Sequence, residues 1–166
     1  MKQHELPIIE LKFLKHRSLL ALVNNSVMGG DNHLFRNIYA KDESGKEIDI
    51  LEDGKNSCAT FVSWILLAVE LIKRPHATIE GTEKDLTGSG WYLVQGYRKG
   101  AVLIWKSITG ELLGQKNIKH RHIGFCVGND EAVSNNTETG FPQRHHVTYG
   151  GSREVEKVYW HKDLDE

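Results

Sequence analysis

A single cysteine stands at the mouth of the most apolar segment of this chain, and a histidine opens a strand far downstream. The first stretch reads Asn56-Ser57-Cys58-Ala59-Thr60-Phe61-Val62-Ser63-Trp64-Ile65-Leu66-Leu67. The second reads His120-Arg121-His122-Ile123-Gly124-Phe125-Cys126-Val127-Gly128-Asn129. Free amides and the helix dipole at a helix N-terminus favour a thiolate, so a lowered pKa is expected for Cys58. The same amides can hold an oxyanion formed on a substrate carbonyl. A strand can fix His122 beside the thiol as its base, which completes the two parts of a cysteine nucleophile. Two plainer readings compete. Free cysteine is among the most buried residue types, so Cys58 also reads as a small residue opening a core helix. His122 also reads as a surface residue at a strand end, with His120 on the same face as a rival base.

An imidazole base needs a partner that fixes its tautomer and orientation. Ser134 and Asn135 close the strand after that of His122, and the turn at Gly128-Asn129-Asp130 returns this end to the neighbourhood of His122. Successive strand residues point to opposite faces, so only one of the two can reach the ring. Asn135 is the expected orienter, because its amide oxygen accepts from an imidazole N–H. Ser134 is the alternative, and His145 or His146 come next. Ser134-Asn135-Asn136 reads equally as a run of turn formers. Gly124, on the His122 face, is expected to leave room for a helix end to approach.

A zinc site competes for the same residues, since the chain has nine histidines and two cysteines. His120-x-His122 would supply two ligands, but Cys58 would have to be the third. His-x-x-x-His and Cys-x-x-Cys are both absent. No phosphate-binding glycine loop, dinucleotide fingerprint or Gly-x-Ser-x-Gly appears either, so no cofactor is expected.

The elements that must position these groups follow from periodicity and punctuation. Residues 11–27 read as a helix, with Leu11, Leu14, Leu19, Leu22 and Val23 near helical spacing. Strands at 34–40 and 47–51 flank turn chemistry at Asp42-Glu43-Ser44-Gly45, which predicts a small hairpin. The central helix is expected from Ser57 to Lys73, capped by Asn56 or Ser57 and stopped by Pro75. It is apolar on most sides, as a helix buried mid-domain would be. Residues 78–85 read as a short helix or linker. Residues 91–94 read as a strand start or a loop end. Strands are expected at 101–105, 122–127, 131–135 and 155–160. A polar connection with a hairpin tip near Thr109-Gly110 and a loop at 137–146 containing Pro142 complete the layout. Helices first and an antiparallel meander after them predict an α+β fold.

With 166 residues, one domain is expected. A net charge of −1 gives no general attraction to nucleic acid or anionic lipid. Charges at Lys2, Glu5, Glu10, Lys12 and Lys15 interrupt the N-terminal apolar residues, so no secretory leader is expected. The longest apolar stretch, Ile65 to Val69, is too short to span a bilayer. Two cysteines make no disulfide framework, and a cytoplasmic location is the default expectation. Extracellular or periplasmic action stays open.

The order of these segments resembles the NlpC-type cell-wall peptidases and the related CHAP amidases, members of the broad papain-like group. Cys58 opens a buried helix. Lys99-Gly100-Ala101-Val102-Leu103-Ile104-Trp105 follows, then the strand from His122 to Asn129, then Ala132-Val133-Ser134-Asn135. The resemblance covers residues 56–135, about half of the chain. It implies a papain-like fold in which the helix carrying the cysteine packs on an antiparallel sheet or partial barrel. It also implies Cys58 as nucleophile and His122 as base. The orienting position falls on Ser134 in the NlpC alignment and on Asn135 in the CHAP alignment, and Asn135 is preferred. Two positions depart from the family pattern: the usual Asp-Cys-Ser-Gly is Ser57-Cys58-Ala59-Thr60, and the usual Asp after the strand glycine is Ala101. The function implied is cleavage of an amide bond through a thioester acyl-enzyme, with a peptide or peptidoglycan-like substrate. The alternatives are a thioester-using acyltransferase and a non-catalytic binding module in which Cys58 is a buried core residue.

Overall fold

Phe61 decides where the central helix sits. It is fully buried, edge-on to Phe35 at 5.4 Å on one side and to Phe125 at 5.8 Å on the other. This aromatic file ties the N-terminal loop, the helix and the sheet into one core. The computed structural model describes residues 14–112 and 115–165, with side chains described outside 110–118. The elements are α1 (Lys15–Asn25), β1 (Tyr39–Lys41), β2 (Glu47–Asp49), α2 (Cys58–Ala68), α3 (Ile79–Gly88), β3 (Tyr92–Leu93), β4 (Val102–Leu112), β5 (Gln115–Gly128), β6 (Glu131–Asn135), β7 (Pro142–His146) and β8 (Val155–Trp160). A short 3-10 turn, Lys162–Leu164, follows.

The fold is α+β, as the element order predicts. Six strands form an antiparallel sheet in the order β3-β8-β4-β5-β6-β7, and β1 and β2 form the separate hairpin. In that hairpin turn, Asp42 Oδ1 accepts from the Ser44 and Lys46 amides. α1 buries Leu19 and Val23, one turn apart, and leaves Leu22 exposed, as is Leu14 just before it. Residues 11–13 of the expected helix lie outside the described residues.

α2 is shorter than its composition predicts. It ends at Ala68, well before Pro75. Glu70 adopts a positive φ of 57°, and the Leu71 amide donates back to the Leu66 carbonyl at 2.9 Å. Val69, Leu71 and Ile72 stay in the core from the turn that follows. The helix is buried on most sides, as its composition predicts, and Trp64, 45% exposed, marks the narrow stripe that faces out.

Two strand assignments differ from the sequence reading. The polar connection at 107–119 is a long β-ribbon whose reversal lies at Leu112↔Gln115, beyond the expected tip. Pairing, once set by the apolar halves of β4 and β5, extends along residues that tolerate extended backbone. The expected loop at 137–146 contains β7. This is an edge strand, where a proline at the first position removes no ladder bond that the sheet needs.

The register divides the sheet into two faces. Phe125 pairs with Val133, and Phe125 meets Phe61, so this face carries α2. His122 pairs with Trp105 and His145 with Ala132. By strand alternation, His122, Gly124, Ser134 and His145 share the opposite face.

Candidate active site

Cys58 is the first residue of α2, and the local sequence leaves that helix end open. Ser57 occupies the N-cap position but its side chain makes no cap bond, contrary to expectation. Its Oγ is buried without a hydrogen-bond partner. The amides of the first turn therefore have no side-chain cap competing for them. Gly54 holds the approach to this end. It has a φ of 89°, and its Cα packs against the Gly140 backbone with no room for a Cβ. Cys58, Asn56, Ala59, His120, Arg121 and His122 border one cavity of about 480 Å³.

The electrostatics of the thiol differ from expectation. Burial pushes Cys58 up to about 11. The amides of Ile123, Ala59 and Cys58 itself, and the charge of Arg153, favour the thiolate but do not overcome that cost. The residue keeps some surface on the cavity, yet the desolvation of its sulfur outweighs the helix-end effect. His122 is 4% exposed, and burial first, then the neighbouring Arg153 and histidine side chains, lowers it to about 3. Thiol and imidazole therefore rest as a neutral pair. No hydrogen bond joins Cys58 Sγ to the His122 ring, although the two residues border the same cavity.

The ring is held through Nε2. His122 Nε2 lies 2.9 Å from Ser134 Oγ. Its Nδ1 has no hydrogen-bond partner among the described residues. Asn135 does not orient the ring. It points to the α2 face, where its Nδ2 donates to the Gly54 carbonyl at 2.7 Å, and its role is to fix the loop before Cys58. The Phe125↔Val133 register puts Ser134, not Asn135, on the His122 face. Gly124 serves a different approach from the one expected. A Cβ there would fall 2.6 Å from the Val133 carbonyl, 2.7 Å from Ser134 Cβ and 3.1 Å from the Trp105 ring. The space admits β6 and the indole, and no helix end enters it.

Ser134 Oγ has two further partners, His145 Nε2 at 2.8 Å and Tyr149 Oη at 3.0 Å. His145 stacks on Tyr149 with ring centroids 3.9 Å apart. Trp105 lies 5.5 Å from the rings of both His122 and His145, and its Nε1 donates to the Val147 carbonyl at 2.6 Å. Arg153 donates to the carbonyls of Lys106 and His120, both at 3.1 Å. Trp105 reaches the ring through the β4–β5 pairing, whereas Tyr149 and Arg153 carry no motif signal and lie in the segment between β7 and β8.

His120 also borders the cavity, but its Nδ1 faces only the neighbouring Arg121 carbonyl at 3.4 Å. His146 is exposed and serves its own turn, accepting from the Thr148 amide at 3.2 Å. Cys126 is buried and free. Among the described residues, no three His, Cys, Asp or Glu side chains are grouped as metal ligands would be, so His120, His122 and Cys58 do not converge as the zinc reading requires. No helix among the described residues is long and apolar enough to cross a membrane. No protein-family model matches this chain, and no curated protein matches it significantly.

Proposed function

We propose that this protein is a cysteine hydrolase that cleaves an amide bond through a thioester on Cys58. One observation carries the reading: Cys58 at an uncapped helix start shares a cavity with His122, whose Nε2 is tied to Ser134 and whose Nδ1 has no hydrogen-bond partner among the described residues. His122 Nδ1 takes the thiol proton as sulfur attacks the carbonyl carbon. Because the pair rests neutral, this transfer accompanies attack and does not precede it. The Cys58 amide, at the open first turn, stabilises the oxyanion. The tetrahedral intermediate collapses, the C–N bond breaks, and the leaving amine takes the proton from Nδ1. Water then gives a proton to Nδ1 and its oxygen to the thioester carbon. The acid product leaves, and the proton returns to sulfur.

The sequence resemblance supports a peptidoglycan stem peptide, or the amide joining it to glycan, as the substrate. The test is incubation with soluble muropeptides, with mass spectrometry of products and of the protein. The expected result is a cleaved amide and an acyl adduct on Cys58, both absent in Cys58→Ala. Transfer of the acyl group to an added amine in place of water would redirect the reading to an acyltransferase. Cleavage that survives in Cys58→Ala would overturn it.

A further inference from the structure

We infer that His145 is a positioning residue that sets the tautomer of His122 through Ser134. The inference concerns protons in the resting protein, and only its consequence for turnover rests on the hydrolase reading.

Hydrogen positions follow from what each partner can do. His145 Nδ1 lies 2.8 Å from the His146 carbonyl oxygen. A carbonyl only accepts, so Nδ1 carries the proton. His145 is partly buried, and that burial lowers its pKa and keeps the ring neutral. Its Nε2 is therefore bare, and it accepts the one proton of the Ser134 hydroxyl across 2.8 Å. With that proton committed, Ser134 Oγ can only accept. Its two lone pairs take the Tyr149 O–H at 3.0 Å and the His122 Nε2–H at 2.9 Å. The proton of His122 must then sit on Nε2, which leaves Nδ1 as the base.

Serine alone could not make this choice. A hydroxyl donates as readily as it accepts, and a free Ser134 could turn its proton toward His122 Nε2. That would place the ring proton on Nδ1, where it cannot take one from the thiol. The direction of the whole chain is fixed by the His146 carbonyl, a main-chain group that cannot reverse. The Ala132↔His145 pairing and the stack on Tyr149 hold His145 in place for this.

The test is long-range proton–nitrogen NMR of the full chain, labelled at histidine, near neutral pH. In the native protein His122 is expected as the Nε2–H tautomer. His145→Ala should shift it toward Nδ1–H. His145→Gln should restore Nε2–H, because the glutamine Oε1 accepts from Ser134 without titrating. Alkylation of Cys58 by iodoacetamide should slow about tenfold in His145→Ala and recover in His145→Gln. An Nδ1–H tautomer in the native protein overturns the inference whether or not a variant folds, and so does an unchanged tautomer in a folded His145→Ala. A native protein with the expected tautomer that cleaves no amide would sustain the inference and sink the hydrolase reading alone.

Discussion

His122 Nε2 lies 2.9 Å from Ser134 Oγ, and the residue next to Ser134 faces the other side of the sheet. Ser134 and Asn135 should therefore fail in different ways when replaced. Ser134→Ala removes the ring's hydrogen-bond partner and should lower turnover about tenfold or more. It also strips His145 and Tyr149 of theirs and should cost about 1–3 kcal/mol of stability. Asn135→Ala leaves the Gly54 carbonyl without its buried donor and should cost about 1–3 kcal/mol of stability. Its effect on turnover should be smaller than that of Ser134→Ala. Kinetics of the two variants decide, and the reverse ranking would return the orienting role to Asn135.

The pH dependence should reflect a neutral resting pair. Burial holds His122 down at about 3, so the acid limb of hydrolysis should fall far below the ordinary imidazole value. Burial holds the thiol up at about 11, so alkylation should keep accelerating with alkalinity and not level off near neutrality. A rate that saturates at or below the ordinary thiol pKa would show that the helix end wins over burial.

Stability should follow the same shift. Between the ordinary imidazole value, about 6.5, and about 3 the unfolded chain binds a proton that folded His122 excludes. Its contribution is thus complete above the upper value and is lost as pH falls toward the lower one. The slope from this one group is at most about 1.4 kcal/mol per pH unit. Urea midpoints across that window should fall less steeply for His122→Gln than for the native chain. Parallel curves would mean that the ring is not held neutral.

Gly124→Ala should disturb the site without touching a reacting group. Its Cβ would meet the Val133 carbonyl and Ser134 Cβ at 2.6 and 2.7 Å, so β6 must move away from His122. The expected cost is about 1–3 kcal/mol, with a longer Ser134–His122 separation and slower turnover. A crystal structure of the variant with the hydrogen bond intact at native length would contradict this.

Gly54→Ala should act on Cys58 from four residues away. The positive φ costs an alanine about 1–2 kcal/mol, and the Cβ collides with the Gly140 backbone besides. The loop before α2 must shift, and it carries the carbonyl that Asn135 holds. A lower thermal midpoint together with slower alkylation of Cys58 is expected. Loss of stability at an unchanged alkylation rate would separate this loop from the thiol's geometry.

Much of this site is local, and local features are legible in a sequence. Ser57-Cys58 before an apolar run marks a helix start. The alternation from His122 to Cys126 marks a strand and its two faces. Strand period alone establishes that Ser134 and Asn135 point apart. It does not say which faces the ring, because that depends on register, a relation between two strands, and here the Phe125↔Val133 pairing selects Ser134. His145 ranked only behind Ser134, level with His146, for a similar reason. Pro142 and a run of polar residues look like a loop until β6 offers an edge to pair with. The thiol's pKa depended most on tertiary structure. A helix N-terminus acts on Cys58 through its neighbours in sequence, and from those alone the thiol should be acidic. Burial acts through whatever the fold packs around the sulfur, and that desolvation reverses the sign of the shift even though the Ile123 amide of β5 favours the thiolate.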